Sequence, residues 1–119
     1  MAEPEPTQLL VQATLSGSMK VEGRDGDHLG TVHALMVHKG SGRTTHAVLS
    51  LGGFLGMGTD HYPLPWSMLK YDEGLGGYLV NITREQLEGA PRYRDDESWD
   101  WAPNSRGQVD DYYRPAAMI

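Results

Sequence analysis

The sequence predicts one small, mainly β domain, and three observations lead to this fold class. The chain has 119 residues, enough for a single hydrophobic core but too few for two. Glycine accounts for 15 residues, about twice its usual share. The glycines separate short segments rich in Val, Leu, Met and Thr, a spacing that indicates many turns and favours an all-β fold. We expect a small β-barrel of five to six short antiparallel strands, because closure hides strand edges.

Residues 1–17 are predicted to form a flexible leader, since the chain opens with the acidic, proline-rich string Met-Ala-Glu-Pro-Glu-Pro. Leu9–Val11 and Leu15 could dock on the domain as a strand or a short helix. The barrel domain is expected to span residues 18–93. The remainder, 94–119, is acidic and carries four aromatic residues, which rarely accumulate in disordered tails, so we expect parts of it to pack on the barrel.

Within the domain, the pair Asp25-Gly26 predicts a tight hairpin between the first two strands. The next strand covers residues 29–38, and its alternation fails at Ala34–Val37. Four consecutive apolar residues there indicate a β-bulge or a strand buried on both faces. Lys39–Arg43 forms a turn, and Thr44–Leu51 is a strand of β-branched and small residues.

The next strand, 60–65, contains Pro63 and Pro65, which cannot donate ladder hydrogen bonds, so it should bend or lie at an edge. A corner is expected after Pro65, with Tyr62, Trp66 and Tyr71 packed around it. A short helix follows the last strand. Its capping box and its end are indicated by four residues, namely Thr83, Gln86, Gly89 and Pro91.

The glycine-rich turn Gly-Gly-Phe-Leu-Gly-Met-Gly, residues 52–58, is the most unusual segment. Its glycine spacing differs from a dinucleotide fingerprint, and no Lys-Ser/Thr pair follows it as in a P-loop. Phe54, Leu55 and Met57 either fold over one end of their own barrel or are exposed and bind a partner or a second copy. These three residues are the candidate interface.

Composition argues against several functions. The formal net charge is −6, and the basic residues are scattered, so direct nucleic-acid binding is not expected. The chain has no cysteine, which excludes disulfides and thiolate metal sites. It shows neither a secretory signal nor an apolar stretch long enough for membrane insertion, and we expect a cytoplasmic protein. Carboxylate pairs fall in turns or the tail, so no catalytic residues and no cofactor are predicted.

Five histidines raise the alternative of a small-molecule or metal binder. His28, His33 and His38 are spaced by five, an odd offset that places strand side chains on opposite faces unless a bulge intervenes. His33 and His46 could meet across the hairpin around Lys39–Arg43. Solvated or hydrogen-bonded surface histidines are the simpler interpretation, and no metal ligands are assigned.

The order of several segments resembles the PRC-barrel family, in its stand-alone bacterial form. The segments are 25–32 (Asp-Gly-Asp-His-Leu-Gly-Thr-Val), 35–37 (Leu-Met-Val), 41–43 (Ser-Gly-Arg), 47–58 (Ala-Val-Leu-Ser-Leu followed by the glycine-rich turn), 64–66 (Leu-Pro-Trp), 69–72 (Leu-Lys-Tyr-Asp) and 87–91 (Leu-Glu-Gly-Ala-Pro). The family includes the barrel of the photosynthetic reaction-centre H subunit and that of the ribosome maturation factor. The resemblance covers about residues 17 to 93.

The resemblance implies a barrel used mainly for protein–protein contact, with no set of catalytic residues to transfer. We expect a non-enzymatic interaction or assembly module that contacts an unidentified protein. Unpaired barrel edges and the apolar segment 52–58 further predict that it self-associates as a homodimer. A ribosome- or RNA-maturation accessory is the alternative by family analogy. His38, where the family often has Asp, and Pro63 depart from the family pattern, so no role is transferred to them.

Overall fold

A computed structural model describes residues 10–51, 60–94, 101 and 103–117 of the chain. These residues form one seven-stranded sheet, two α-helices and a short 3-10 helix. The strands are β1 Leu10–Glu22, β2 His28–His38, β3 Thr44–Leu51, β4 Asp60–Pro65, β5 Lys70–Asp72, β6 Gly77–Leu79 and β7 Tyr93–Arg94; the helices are α1 Arg84–Glu88 and α2 Pro103–Ala117, and the 3-10 helix is Trp66–Met68.

The order of strands in the sheet is β5-β6-β1-β2-β3-β4-β7. Strands β1 to β4 form an antiparallel meander, as predicted. The β1–β2 hairpin turns at Gly26, whose φ of +81° suits glycine at a tight turn. The mainly β class is therefore confirmed. The strand count is seven rather than five or six, and β1 pairs with β6 in parallel, because the chain after β5 returns alongside the start of the meander.

Strand β1 begins at Leu10, so residues 10–17, assigned above to the leader, belong to the sheet. The alternative of a docked strand describes them better, because Leu10 is buried in an apolar cluster with Ala34, Met36 and Trp101. Strands β5 and β7 lie at the two ends of the hydrogen-bonded order. Within the described parts of the chain, neither end strand has a second strand partner, so the sheet is open there.

The predicted irregularity in β2 is a real break in register. In the β2–β3 pairing, Val32 lies opposite Leu49 and Ala34 opposite Val48, so His33 is an additional residue on β2. A second break between Met36 and Val37 leaves Thr45 as the additional residue on β3, because His46 pairs with Met36 and Thr44 with Val37. The two bulges shift which side chains face each side of the sheet.

Alternation along β3 builds apolar clusters on both faces of the sheet. Ala47 and Leu49 lie in the larger cluster, whereas Val48 lies in the smaller one with Leu10 and Trp101. The larger cluster is completed by side chains from most other elements: Val21, Leu29, Val32, Tyr62, Leu64, Met68, Leu69, Val80, Ile82, Leu87, Ala90, Val109 and Tyr113.

Both proline and helix predictions hold. Residues Tyr62–Pro65 pair with β3 on one side, while β7 pairs only with Asp60 and His61 on the other, so the prolines lie on an edge-like stretch. The 3-10 helix makes the corner directly after Pro65. Helix α1 begins at the predicted capping box, in which the side chains of Thr83 and Gln86 each accept a backbone N–H.

The C-terminal tail packs on the sheet, as expected, and it does so as helix α2. Val109 and Tyr113, one turn apart, are buried in the larger core cluster. Tyr112, on the neighbouring face of α2, donates a hydrogen bond to the carbonyl of Gln86 in α1. No helix among the described residues has the length and apolar character needed to cross a membrane.

Candidate functional site

A cleft of about 570 Å³ opens between α2 and the sheet. We call it the α2 cleft. Its polar lining comes from β3, from the 3-10 helix and from the first half of α2: Thr45, His46, Ser67, Arg106 and Asp110, with the backbone of Gly107. Clefts of this volume are in the range that holds small molecules.

His46 is the buried centre of this cleft, with only 4% of its surface exposed. Its Nε2 lies 2.9 Å from Oδ1 of Asp110 on α2, and its Nδ1 lies 2.9 Å from Oγ1 of Thr45. Neighbouring residues on a regular strand point to opposite faces, so the Thr45–His46 contact depends on the bulge at Thr45. The bulge thus aims two adjacent polar side chains into one site.

The proton positions in this chain follow from the donors available. In neutral His46, Nε2–H donates to Asp110 and the Thr45 hydroxyl donates to Nδ1. In the imidazolium, Nδ1–H also donates, and the Thr45 hydroxyl turns its proton to the Met36 carbonyl, 3.3 Å away. Protonation of the ring therefore redirects the Thr45 hydroxyl rather than freeing it as a nucleophile.

Burial lowers the pKa of His46 below its ordinary value of 6.5, because desolvation penalises the imidazolium. The hydrogen bond and the charge of Asp110 act in the opposite direction, and the positive charge of Arg106 lowers the pKa further. Desolvation outweighs the carboxylate because Asp110 is half exposed and its charge is screened by water. At neutral pH the ring is therefore held neutral against a carboxylate.

Arg106 stands out among the charged groups of the cleft. Its Nε is buried and has no hydrogen-bond partner within the described residues. On the same helix, Arg114 pairs with Asp111, and Arg92 on the surface lies 4.0 Å from a carboxylate oxygen of Asp60. A guanidinium nitrogen removed from water without an acceptor is costly, and the same side chain lines the open cleft.

The second notable surface is the free edge of β5, which we call the β5 edge (Lys70, Tyr71 and Asp72). Strand β5 pairs only with β6 in the described structure. Tyr71 is 56% exposed, the largest exposure among the large hydrophobic side chains described. Its ring lies 5.5 Å from that of Tyr78, which in turn lies 5.5 Å from Trp66. On the other face of the hairpin, Leu79 is 39% exposed opposite Lys70.

The residues singled out from the sequence fall in different places. Phe54, Leu55 and Met57 lie outside the described residues, so their assignment as an interface stays a prediction. His33 does not meet His46, because the bulge sends its ring to within 4.5 Å of the His61 ring, while His46 contacts Asp110. Among the described residues, no group of three or more His, Asp and Glu side chains is arranged to hold a metal ion.

Sequence reasoning missed Arg106 and Asp110, since the tail was assigned only as packed. Arg106 and Asp110 are four residues apart, and so are the apolar residues Val109 and Tyr113. This pattern predicts a helix with one polar and one apolar face. The position of Lys70, Tyr71 and Asp72 at an end of the sheet was not predicted either, because it depends on the long-range β1–β6 pairing.

Comparison with protein families agrees with this architecture. A model of the PRC-barrel domain matches residues 17–87, more than half of the chain. The described fold is mainly β with a short helix after the last main strand, and the chain belongs to the PRC-barrel domain family. The comparison with curated proteins gave no match. Family membership indicates a general interaction or assembly domain.

Proposed function

We propose that this protein is a non-enzymatic assembly module that self-associates through the β5 edge. The observation that carries the proposal is the exposed Tyr71 at the centre of an end strand. An end strand presents backbone N–H and C=O groups to any chain that can pair with it. Proteins usually protect such edges from pairing by placing charged side chains on them. Here the two charges that flank Tyr71 are of opposite sign, Lys70 on one side and Asp72 on the other.

The two charges make the edge complementary to itself. In an antiparallel pair of β5 strands related by a two-fold axis at Tyr71, Lys70 of one copy lies opposite Asp72 of the other, and the reverse holds too. Opposite charges in directly paired positions stabilise antiparallel strands, while like charges destabilise them. A shift of register by one residue would place Tyr71 opposite Lys70 or Asp72 instead of opposite the Tyr71 of the other copy.

The aromatic side of the hairpin would add apolar contact. Tyr71, Tyr78 and Trp66 form a continuous row of rings, and pairing would remove part of the Tyr71 ring from water. With only three residues in β5, the contact is smaller than a standard interface of about 1,600 Å². We therefore expect a concentration-dependent dimer rather than an obligate one.

Sedimentation velocity over a wide range of protein concentration tests the proposal. The weight-average sedimentation coefficient should rise with concentration, and Tyr71→Ser should weaken this rise. Tyr112→Ser is the matched control, because Tyr112 is also an exposed tyrosine but lies on α2 beside α1. A protein that stays monomeric at every concentration, or a control that dissociates as readily as Tyr71→Ser, contradicts the proposal.

The non-enzymatic part of the proposal is supported by the hydrogen bonds around His46. A hydroxyl, an imidazole and a carboxylate lie in a row, an order that nucleophilic catalysis also uses. The Thr45 hydroxyl, however, is within hydrogen-bond distance of the Met36 carbonyl as well as of His46 Nδ1, so the backbone carbonyl competes with the imidazole for its proton, and the side chain is only partly exposed. An esterase assay with a small activated ester should show no turnover above that of Thr45→Val.

A further inference from the structure

We infer that the α2 cleft binds a small-molecule anion, a carboxylate or a phosphate, with Arg106 as its charged anchor. This inference is independent of self-association, because the cleft and the β5 edge share no residue. It rests on the geometry of Arg106 and on the donors that surround it.

The first step is the unpartnered guanidinium. Arg106 is partly buried, and its Nε is removed from water with no acceptor in the described residues. Other arginine side chains are engaged: Arg24 donates to Asn81, Arg84 to the His28 carbonyl, and Arg114 to Asp111. An anion with two oxygens could accept from the two terminal nitrogens of the guanidinium together, a bidentate geometry that guanidinium groups favour.

The second step is the composition of the cleft around Arg106. Ser67, at the corner after β4, is exposed and adds a hydroxyl donor. Among the described residues that line the cleft, Asp110 is the acidic one, and its Oδ1 is held by Nε2 of His46. The imidazole N–H partly offsets the repulsion that this carboxylate would exert on an anion. The opening of about 570 Å³ has room for a small molecule beyond its charged group.

The third step is a coupling between the ligand and His46. The groups that face His46 are Thr45 on β3, Trp101, and Arg106 and Asp110 on α2. Because the Arg106 charge lowers the pKa of His46, an anion bound to Arg106 should offset that charge and raise the pKa. Anion binding should therefore raise the pKa of His46 even if the anion does not contact the ring.

The experiment uses NMR of the full chain in sodium phosphate and, separately, sodium acetate, each at constant ionic strength made up with sodium chloride. The observed signals are the Arg106 Nε–H, the Gly107 amide and the His46 ring. Saturable shifts with acetate assign the site to carboxylates, and saturable shifts with phosphate assign it to phosphates. No saturable shift with either overturns the inference.

Two variants make the result specific. Arg106→Gln should weaken binding roughly tenfold or more, because it removes a charge-assisted hydrogen bond. Arg114→Gln, the matched control, removes the same charge from an exposed position on α2 and should leave binding unchanged. If Arg106→Gln proves unfolded, Arg106→Lys is the replacement, because lysine keeps the charge but cannot form the bidentate hydrogen bonds of a guanidinium. It should weaken binding, while the ligand-induced shift of the Gly107 amide persists. Equal weakening in the Arg114 control overturns the inference.

Discussion

The pH dependence of stability should be set in part by His46. Its pKa in the folded protein lies below the ordinary value of 6.5, so the unfolded chain binds a proton more readily as the pH falls below 6.5. The contribution of a neutral, buried His46 is therefore complete above pH 6.5 and is lost as the pH falls towards the lowered pKa. A single group of this kind changes the free energy of unfolding by at most about 1.4 kcal/mol per pH unit.

The perturbation that isolates this effect is His46→Gln, since glutamine cannot titrate but can donate an amide N–H towards Asp110. Urea unfolding of both proteins should be followed from pH 8 downwards. The difference in free energy of unfolding, wild type minus His46→Gln, should be constant above pH 6.5 and should shrink below it. Asp110→Asn provides a second check, because losing the carboxylate lowers the pKa of His46 further and extends the decline to lower pH.

A difference that does not change with pH would refute this reasoning, since it would mean that His46 titrates alike in the folded and unfolded chains. A difference that grows as the pH falls would show that the Asp110 carboxylate outweighs burial, and would reverse the sign of the pKa shift.

Three further changes test the packing. Gly30→Ala should lower the free energy of unfolding, measured by urea denaturation, by about 2 kcal/mol. The φ of Gly30 is +151°, and an added Cβ would lie 2.5 Å from the Ser50 carbonyl oxygen. Gly26→Ala is the control and should cost less, because the space around Gly26 is open. Thr83→Ala should cost about 1 kcal/mol by loss of the α1 cap, which Thr83→Ser should largely retain; equal losses would contradict the cap. Tyr113→Phe should raise the thermal midpoint or leave it unchanged, because the buried Tyr113 hydroxyl has no hydrogen-bond partner among the described residues; a loss above about 1 kcal/mol would reveal one.

Local patterns predicted local structure well. The Asp25-Gly26 hairpin needs only a turn residue that accepts positive φ, and the α1 capping box needs only two side chains three residues apart, so both were visible in the sequence. The failed alternation at Ala34–Val37 indicated an irregular strand, and register breaks occur at both ends of that stretch, although the additional residues are His33 and Thr45. In each case the physical cause lies within a few residues of the feature.

Features that depend on distant contacts were not visible. Leu10 starts β1 because it is buried against Trp101, more than ninety residues later. The described side chains of helix α2 form a narrow apolar stripe, Val109 and Tyr113, and docking of that stripe on the sheet stabilises the helix. The sequence predicted for His46 only a contact with His33 across a hairpin; its actual partner Asp110 is 64 residues away and reaches it only when α2 docks.

The central claim, self-association through the β5 edge, can be tested by exchanging charges between two copies. Lys70→Glu places a glutamate opposite Asp72 of the second copy, and Asp72→Lys places a lysine opposite Lys70. Each variant alone should be monomeric by sedimentation velocity, with circular dichroism confirming that it is folded. An equimolar mixture should form a heterodimer, because every cross-copy pair is then of opposite sign. Variants that dimerise alone as the wild type does, or a mixture that stays monomeric while the wild type dimerises, would contradict the β5 edge as the interface.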